Sequence, residues 1–188
     1  MAKVNNNIFV RGLSGQLGDQ FIVKTDKGGR TIVSAKPTFN GTRAFSQAQL
    51  IQQQAFREAT AYAKAMMGQE IYIIKANGGP KSPYNVAVAD WFNQPKILEV
   101  DLTAWNGGAG EMIRMRVQDD VMVAGVTVTI SDGDHTVLES GQATETGALW
   151  WEYTPTNDFT GQQVTITIAA RDLPGHVTEY SQVRTFSG

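Results

Sequence analysis

From Ile97 to Phe186, short apolar runs recur at nearly even intervals, with turn residues between them. Val126-Thr127-Val128-Thr129-Ile130 and Val164-Thr165-Ile166-Thr167-Ile168 alternate strictly. Each puts Val or Ile on one face and Thr on the other, the pattern of a half-buried strand. Seven strands are predicted, at about 97–103, 111–118, 122–131, 135–141, 147–154, 163–170 and 177–186. Gly107-Gly108-Ala109-Gly110 joins the first two, and Asp132-Gly133-Asp134 turns the third into the fourth. This half reads as a β-sandwich.

The first half has a different rhythm. Phe21-Ile22-Val23-Lys24-Thr25 and Arg30-Thr31-Ile32-Val33-Ser34 flank Asp26-Lys27-Gly28-Gly29 and predict a hairpin within about 8–34. Pro37 stops its second strand. Gly12, Gly15 and Gly18 recur every third position just before it. A dinucleotide loop would need a helix directly after such glycines, and here a strand follows. They fit a tight bend where backbone passes close to backbone, including that of a neighbouring subunit. Ser46 and Gln49 have capping-box spacing and open a long helix over about 46–67. Ile51, Ala55, Ala59, Tyr62 and Met66 share one of its faces, widened by Phe56 and Ala63. Glu70 to Lys75, with Ile73-Ile74, is expected to be a strand. Ser82-Pro83 reads as N-cap and N1 of a short helix over about 83–92. Pro95 marks the expected boundary between a small α+β domain, 1–95, and the sandwich, 96–188.

Seven short strands in about ninety residues is the count of an immunoglobulin-like sandwich. Three segments carry a further likeness: Asp119-Asp120 ahead of Val126-Thr127-Val128, the pair Trp150-Trp151, and Ala170-Arg171-Asp172-Leu173-Pro174-Gly175-His176-Val177-Thr178-Glu179. In these the C-terminal half resembles the Ig-like or fibronectin-III-like modules of bacterial surface and phage structural proteins. The last segment is similar to the Ala-x-Asp-x-x-Gly-Asn-x-Thr turn before their final strand, with His176 in place of the usual Asn. The resemblance implies a fold and leaves function open, because such modules act as spacers, adhesins and assembly contacts alike.

Composition narrows the possibilities. The 188 residues include no cysteine, which excludes disulfides, thiolate zinc sites and cysteine nucleophiles. The formal net charge is -2. Lys24, Lys27, Arg30, Lys36 and Arg43 are dispersed and diluted by Asp19 and Asp26, so no nucleic-acid partner is expected. Charged residues are 18% of the chain, below the usual ~25%. A charge-poor surface is easier to desolvate and leans toward protein–protein contact. The start has no apolar signal core, and no run approaches the ~20 apolar residues of a membrane helix. The chain is therefore expected to be cytoplasmic as synthesised, without membrane insertion.

Candidate chemistry is sparse. His135 and His176 both fall in turns, and neither has a serine and carboxylate arranged as a triad. Asp119, Asp120 and Asp172 lie near strand ends and are weak calcium candidates; turn hydrogen bonding is the plainer reading. Trp150 and Trp151 must point to opposite faces of a strand. Alternation with Leu149 and Tyr153 puts Trp151 on their face, and Trp151 is the interaction candidate of the pair. The other interaction candidates are Ile8, Phe9, Val10, Gly12, Gly15 and Gly18, in an Asn-rich N-terminal arm suited to pairing with a neighbour's sheet edge. The expectation is a non-enzymatic structural protein without a cofactor, self-assembling into an oligomer, tube, filament or particle, with exchange of the N-terminal strand as one route. The alternatives are a monomeric module binding a protein or glycan, and an enzyme built on an unfamiliar carboxylate pair.

Overall fold

The computed structural model describes residues 2–4, 13–26, 28–38, 41 and 44–187. It is an α+β fold with three helices and three antiparallel sheets. Strands β1 (Ala2–Val4), β2 (Gly15–Leu17), β3 (Phe21–Thr25) and β4 (Thr31–Ala35) form a sheet in the order β1-β4-β3-β2. The predicted hairpin is its centre, β3–β4. Asp26 closes the turn, accepting from Arg30 N at 2.9 Å and Arg30 Nε at 2.6 Å, while Gly29 supplies a φ of +75°.

Helix α1 (Gln47–Met66) starts at the predicted capping box: Gln49 N donates to Ser46 Oγ, and Ser46 N donates to Gln49 Oε1. Its apolar stripe is covered only in the second half. Ala59 and Ala63 are fully buried and Tyr62 and Met66 half-buried, but Ile51 is 61% exposed. The Glu70–Lys75 segment is not a strand. It is helix α2 (Glu70–Ala76), turned back at Gly68-Gln69, where Gln69 O accepts from Tyr72 N and Ile73 N. Among the described residues no strand pairs with it, and packing Tyr72 inward fixes a helical period. The β-branched pair that suggested a strand, Ile73-Ile74, faces out. Helix α3 (Pro83–Phe92) starts as predicted, with Ser82 Oγ accepting from Asn85 N.

The sandwich comprises β5 (Lys96–Asp101), β6 (Ile113–Gln118), β7 (Val123–Ser131), β8 (Val137–Gln142), β9 (Thr144–Gly147), β10 (Trp150–Tyr153), β11 (Gln163–Asp172) and β12 (Val177–Thr185). The two sheets run β5-β6-β10-β9 and β12-β11-β7-β8. The predicted count of seven is one short. The chain changes sheets at buried Ala143, whose N–H bonds to Val126 O, and continues as β9. Because all of Thr144–Gly147 is exposed, no alternation marked it as a strand. The core is built by the alternation that was predicted: Val126, Val128 and Ile130 of β7 face Ile113, Met115 and Val117 of β6, with Val164, Ile166, Ile168 and Ala170 of β11 beside them. Trp105 closes one end against Phe159 and Phe186.

A second apolar cluster spans the expected boundary at Pro95. Ala63, Tyr72, Val86 and Ala87 from the helices pack with Val121, and Leu173 joins from the turn after β11. The helices are thus docked on one end of the sandwich, while among the described residues the β1–β4 sheet has no comparable packing on either.

Candidate functional site

Two regions combine unusual exposure or unusual burial. The first is the uncovered half of α1. Twenty residues make a helix about 30 Å long, and the ten of α3 reach about 15 Å. Among the described residues nothing covers the stripe beyond the end of α3. Phe45, Leu50, Ile51 and Phe56 are 55%, 46%, 61% and 54% exposed. Phe45, Gln49, Gln52, Gln53, Phe56 and Arg57 line a shallow groove of about 480 Å³. Leu50, Ile51, Ala55 and Glu58 line a second shallow hollow that shares none of these residues. In the β1–β4 sheet, Leu17 and Phe21 are also exposed.

The second region is the junction of helices and sandwich. Asp90 is fully buried. Its Oδ2 accepts from Tyr72 Oη at 2.5 Å, and Tyr72 Oη lies 2.6 Å from Tyr62 Oη. Oδ1 has no partner. Burial pushes the Asp90 carboxyl up to about 6; the Tyr72 hydrogen bond opposes this, and the charges of Asp119, Asp172 and Asp120 add to it. Burial likewise raises both tyrosines. Alongside, Trp91 stacks edge-on against His176 at 5.1 Å, and His176 Nδ1 lies 3.0 Å from Asp172 Oδ2. Asn93 Nδ2 donates to Asp120 Oδ2 at 2.6 Å, and Lys75 Nζ to Asp120 O at 3.2 Å. This arrangement ties the helices to the sandwich. It opens on none of the grooves just described.

The sequence-predicted residues divide sharply. Asp119 and Asp172 serve turns: Asp119 Oδ2 accepts from Val121 N and Met122 N, and Asp172 Oδ1 from Gly175 N and His176 N. Asp119, Asp120 and Asp172 all bear on Asp90, yet among the described residues no three His, Cys, Asp or Glu side chains form a group able to hold a metal ion. His135 sits in its turn at a φ of +62° and is exposed.

Trp151 requires a correction. It is 8% exposed and part of the sandwich core, because the outward face of β10 belongs to Trp150. Trp150 is itself half-buried, with Arg114 Cζ 4.9 Å and Arg116 Cζ 5.9 Å from its ring centre. Gly15 and Gly18 take φ of +116° and +61° around β2, but no described atom lies within 4 Å of where their Cβ would stand. Left-handed backbone, not close approach, accounts for glycine there. Ile8, Phe9, Val10 and Gly12 lie outside the described residues.

Sequence reasoning missed Asp90 and the openness of α1. A lone carboxylate among Val86, Ala87, Val88, Ala89, Trp91 and Phe92 was the available signal for the first. The second left no signal, since an inward stripe and an interface stripe have the same spelling.

No protein-family model matches the chain, and no curated protein matches it. Nine solved chains match by structure. CopC from Methylosinus trichosporium OB3b is 13% identical, with 50% of this chain and 93% of that one covered, at a TM-score of 0.38. An engineered protein is 19% identical over 56% of this chain and 27% of its own, also at 0.38. A Bifidobacterium dentium β-glucuronidase complexed with coumarin-3-O-glucuronide is 18% identical over 50% and 17%, at 0.28. The chain thus spans about a quarter and about a sixth of the last two. At these scores the likenesses carry no functional inference. Among the described residues no helix is long and apolar enough to cross a membrane.

Proposed function

We propose that this is a non-enzymatic structural protein that assembles with copies of itself, its sandwich being an Ig-like module of the bacterial or phage type. The observation that carries the reading is surface. Phe45, Leu50, Ile51 and Phe56 lie exposed at and along the first half of α1, and Leu17 and Phe21 lie exposed in the β1–β4 sheet. Exposed apolar patches mark interaction sites. The strand orders β5-β6-β10-β9 and β12-β11-β7-β8 support the Ig-like reading, since they follow the ABED and GFC pattern with one added edge strand. The three-residue pairing of β1 with β4 is short enough for strand exchange between copies to be one assembly route.

Sedimentation over a wide concentration range, with negative-stain microscopy of the heavy fraction, tests this. Regular assemblies well above 20.5 kDa are expected. A monomer at every concentration would overturn the reading. A chain lacking residues 1–10 that assembles normally would remove strand exchange alone.

A further inference from the structure

The first half of α1 is apolar on two separate sides. Ile51 and Phe56 are five positions apart, about 140° around the helix. The Phe45–Phe56 groove and the shallow Leu50–Ile51 hollow share no lining residue. A second copy packed on one side leaves the other in water. We propose that the Leu50–Ile51 face of each copy packs on the Phe45–Phe56 face of the next, so that the contact is heterologous and the α1 helices build a ring or helical array. This rests on the self-assembly reading and specifies its contact.

Charge supports head-to-tail order. Between Ala44 and Ala63 the charged residues are Arg57 and Glu58. Arg57 lines the first face and Glu58 lines the second. Packing unlike faces brings Glu58 of one copy toward Arg57 of the next, whereas packing two Leu50–Ile51 faces opposes two Glu58 carboxylates. Continuity supports a helical occupant, because the Leu50–Ile51 face prolongs the stripe whose Ala63 already packs against α3. A repeated heterologous contact closes a ring or propagates a filament.

The test pairs Ile51→Glu with Phe56→Glu. Both sites are exposed, so each variant should keep the wild-type circular dichroism and melting curve at dilution. Where wild type is assembled, each variant alone should sediment as the 20.5 kDa monomer. Mixed one to one, they should form a species of about twice that mass and nothing larger. The Phe56→Glu copy keeps a sound Leu50–Ile51 face, the Ile51→Glu copy keeps a sound Phe45–Phe56 face, and the remaining two faces are both spoiled. A mixture that stays monomeric, or loss of assembly in only one variant, would overturn the head-to-tail contact. If both variants sediment like assembled wild type, α1 is not the contact, while self-assembly stands. Only a wild type that is monomeric throughout removes the underlying reading.

Discussion

Replacing Asp90 by Asn should flatten the pH dependence of stability between pH 4 and 7.5. Asp90 is enclosed by Tyr72 and Tyr62 and faces Asp119, Asp120 and Asp172 from the sandwich, with His176 bonded to Asp172. Its carboxyl stands at about 6 in the folded chain, raised chiefly by burial from the ordinary 3.8. The folded state therefore holds this proton more tightly than the unfolded state. The stabilisation is complete below pH 3.8 and is lost as pH rises through about 6. Each pH unit between the two values is worth about 1.4 kcal/mol, which makes the loss about 3 kcal/mol by pH 7.5. Asparagine keeps the acceptor for Tyr72 Oη but has no proton to lose. Its amide N–H, set where Oδ1 has no partner, adds a fixed offset that does not vary with pH. The quantity to measure is the difference in Tm, Asp90→Asn minus wild type, across pH 4 to 7.5. It should rise by roughly 6–12 °C, at 2–4 °C per kcal/mol for a chain of this size. The neighbouring groups are the same in both proteins, so the difference isolates position 90. Parallel curves would refute the reasoning, because the buried carboxyl would then carry no linked proton.

Four further outcomes follow from packing and hydrogen bonding. Trp105→Ala empties the space between Phe159 and Phe186 and should cost about 3–5 kcal/mol in urea unfolding; a cost under about 1 kcal/mol would mean that the end of the sandwich repacks freely. Gly107→Ala should cost about 2–4 kcal/mol, since φ is +97° and a Cβ would stand 2.8 Å from Phe186 Cγ. Gly133→Ala, with open space around it and no positive φ, should be close to neutral in the same assay. Glu139→Ala strands Tyr153 Oη, Thr156 N and Asn157 N, which its carboxylate accepts at 2.8–2.9 Å, and should cost about 2–3 kcal/mol at pH 7. Burial alone would raise the Glu139 carboxyl, but those bonds outweigh it and hold it low. The difference between wild type and variant should thus shrink as pH falls below the ordinary 4.5, as followed by acid titration of unfolding.

What the chain settles by itself is whatever depends on neighbours in sequence. Val126-Thr127-Val128-Thr129-Ile130 forms an inward and an outward face in any sheet that accepts it, and the structure buries its Val and Ile residues. Ser46 with Gln49, and Ser82 with Pro83, start helices through bonds made within four residues, so both starts were legible. Asp26 closing its turn on Arg30 is equally local. Tertiary structure decided the rest because it depends on what arrives from far along the chain. Ile73-Ile74 became exposed helix because Tyr72 found Asp90, eighteen residues away, and no strand came to pair with it. Trp151 went inward and Trp150 outward because β10 registers on β6 with Trp151 opposite Met115. Ile51 and Ala59 lie on one stripe, but α3 is long enough to cover only the second. The apolar pattern stated that a surface would be buried; helix length and docking determined that only its second half is, and that the first half lies exposed.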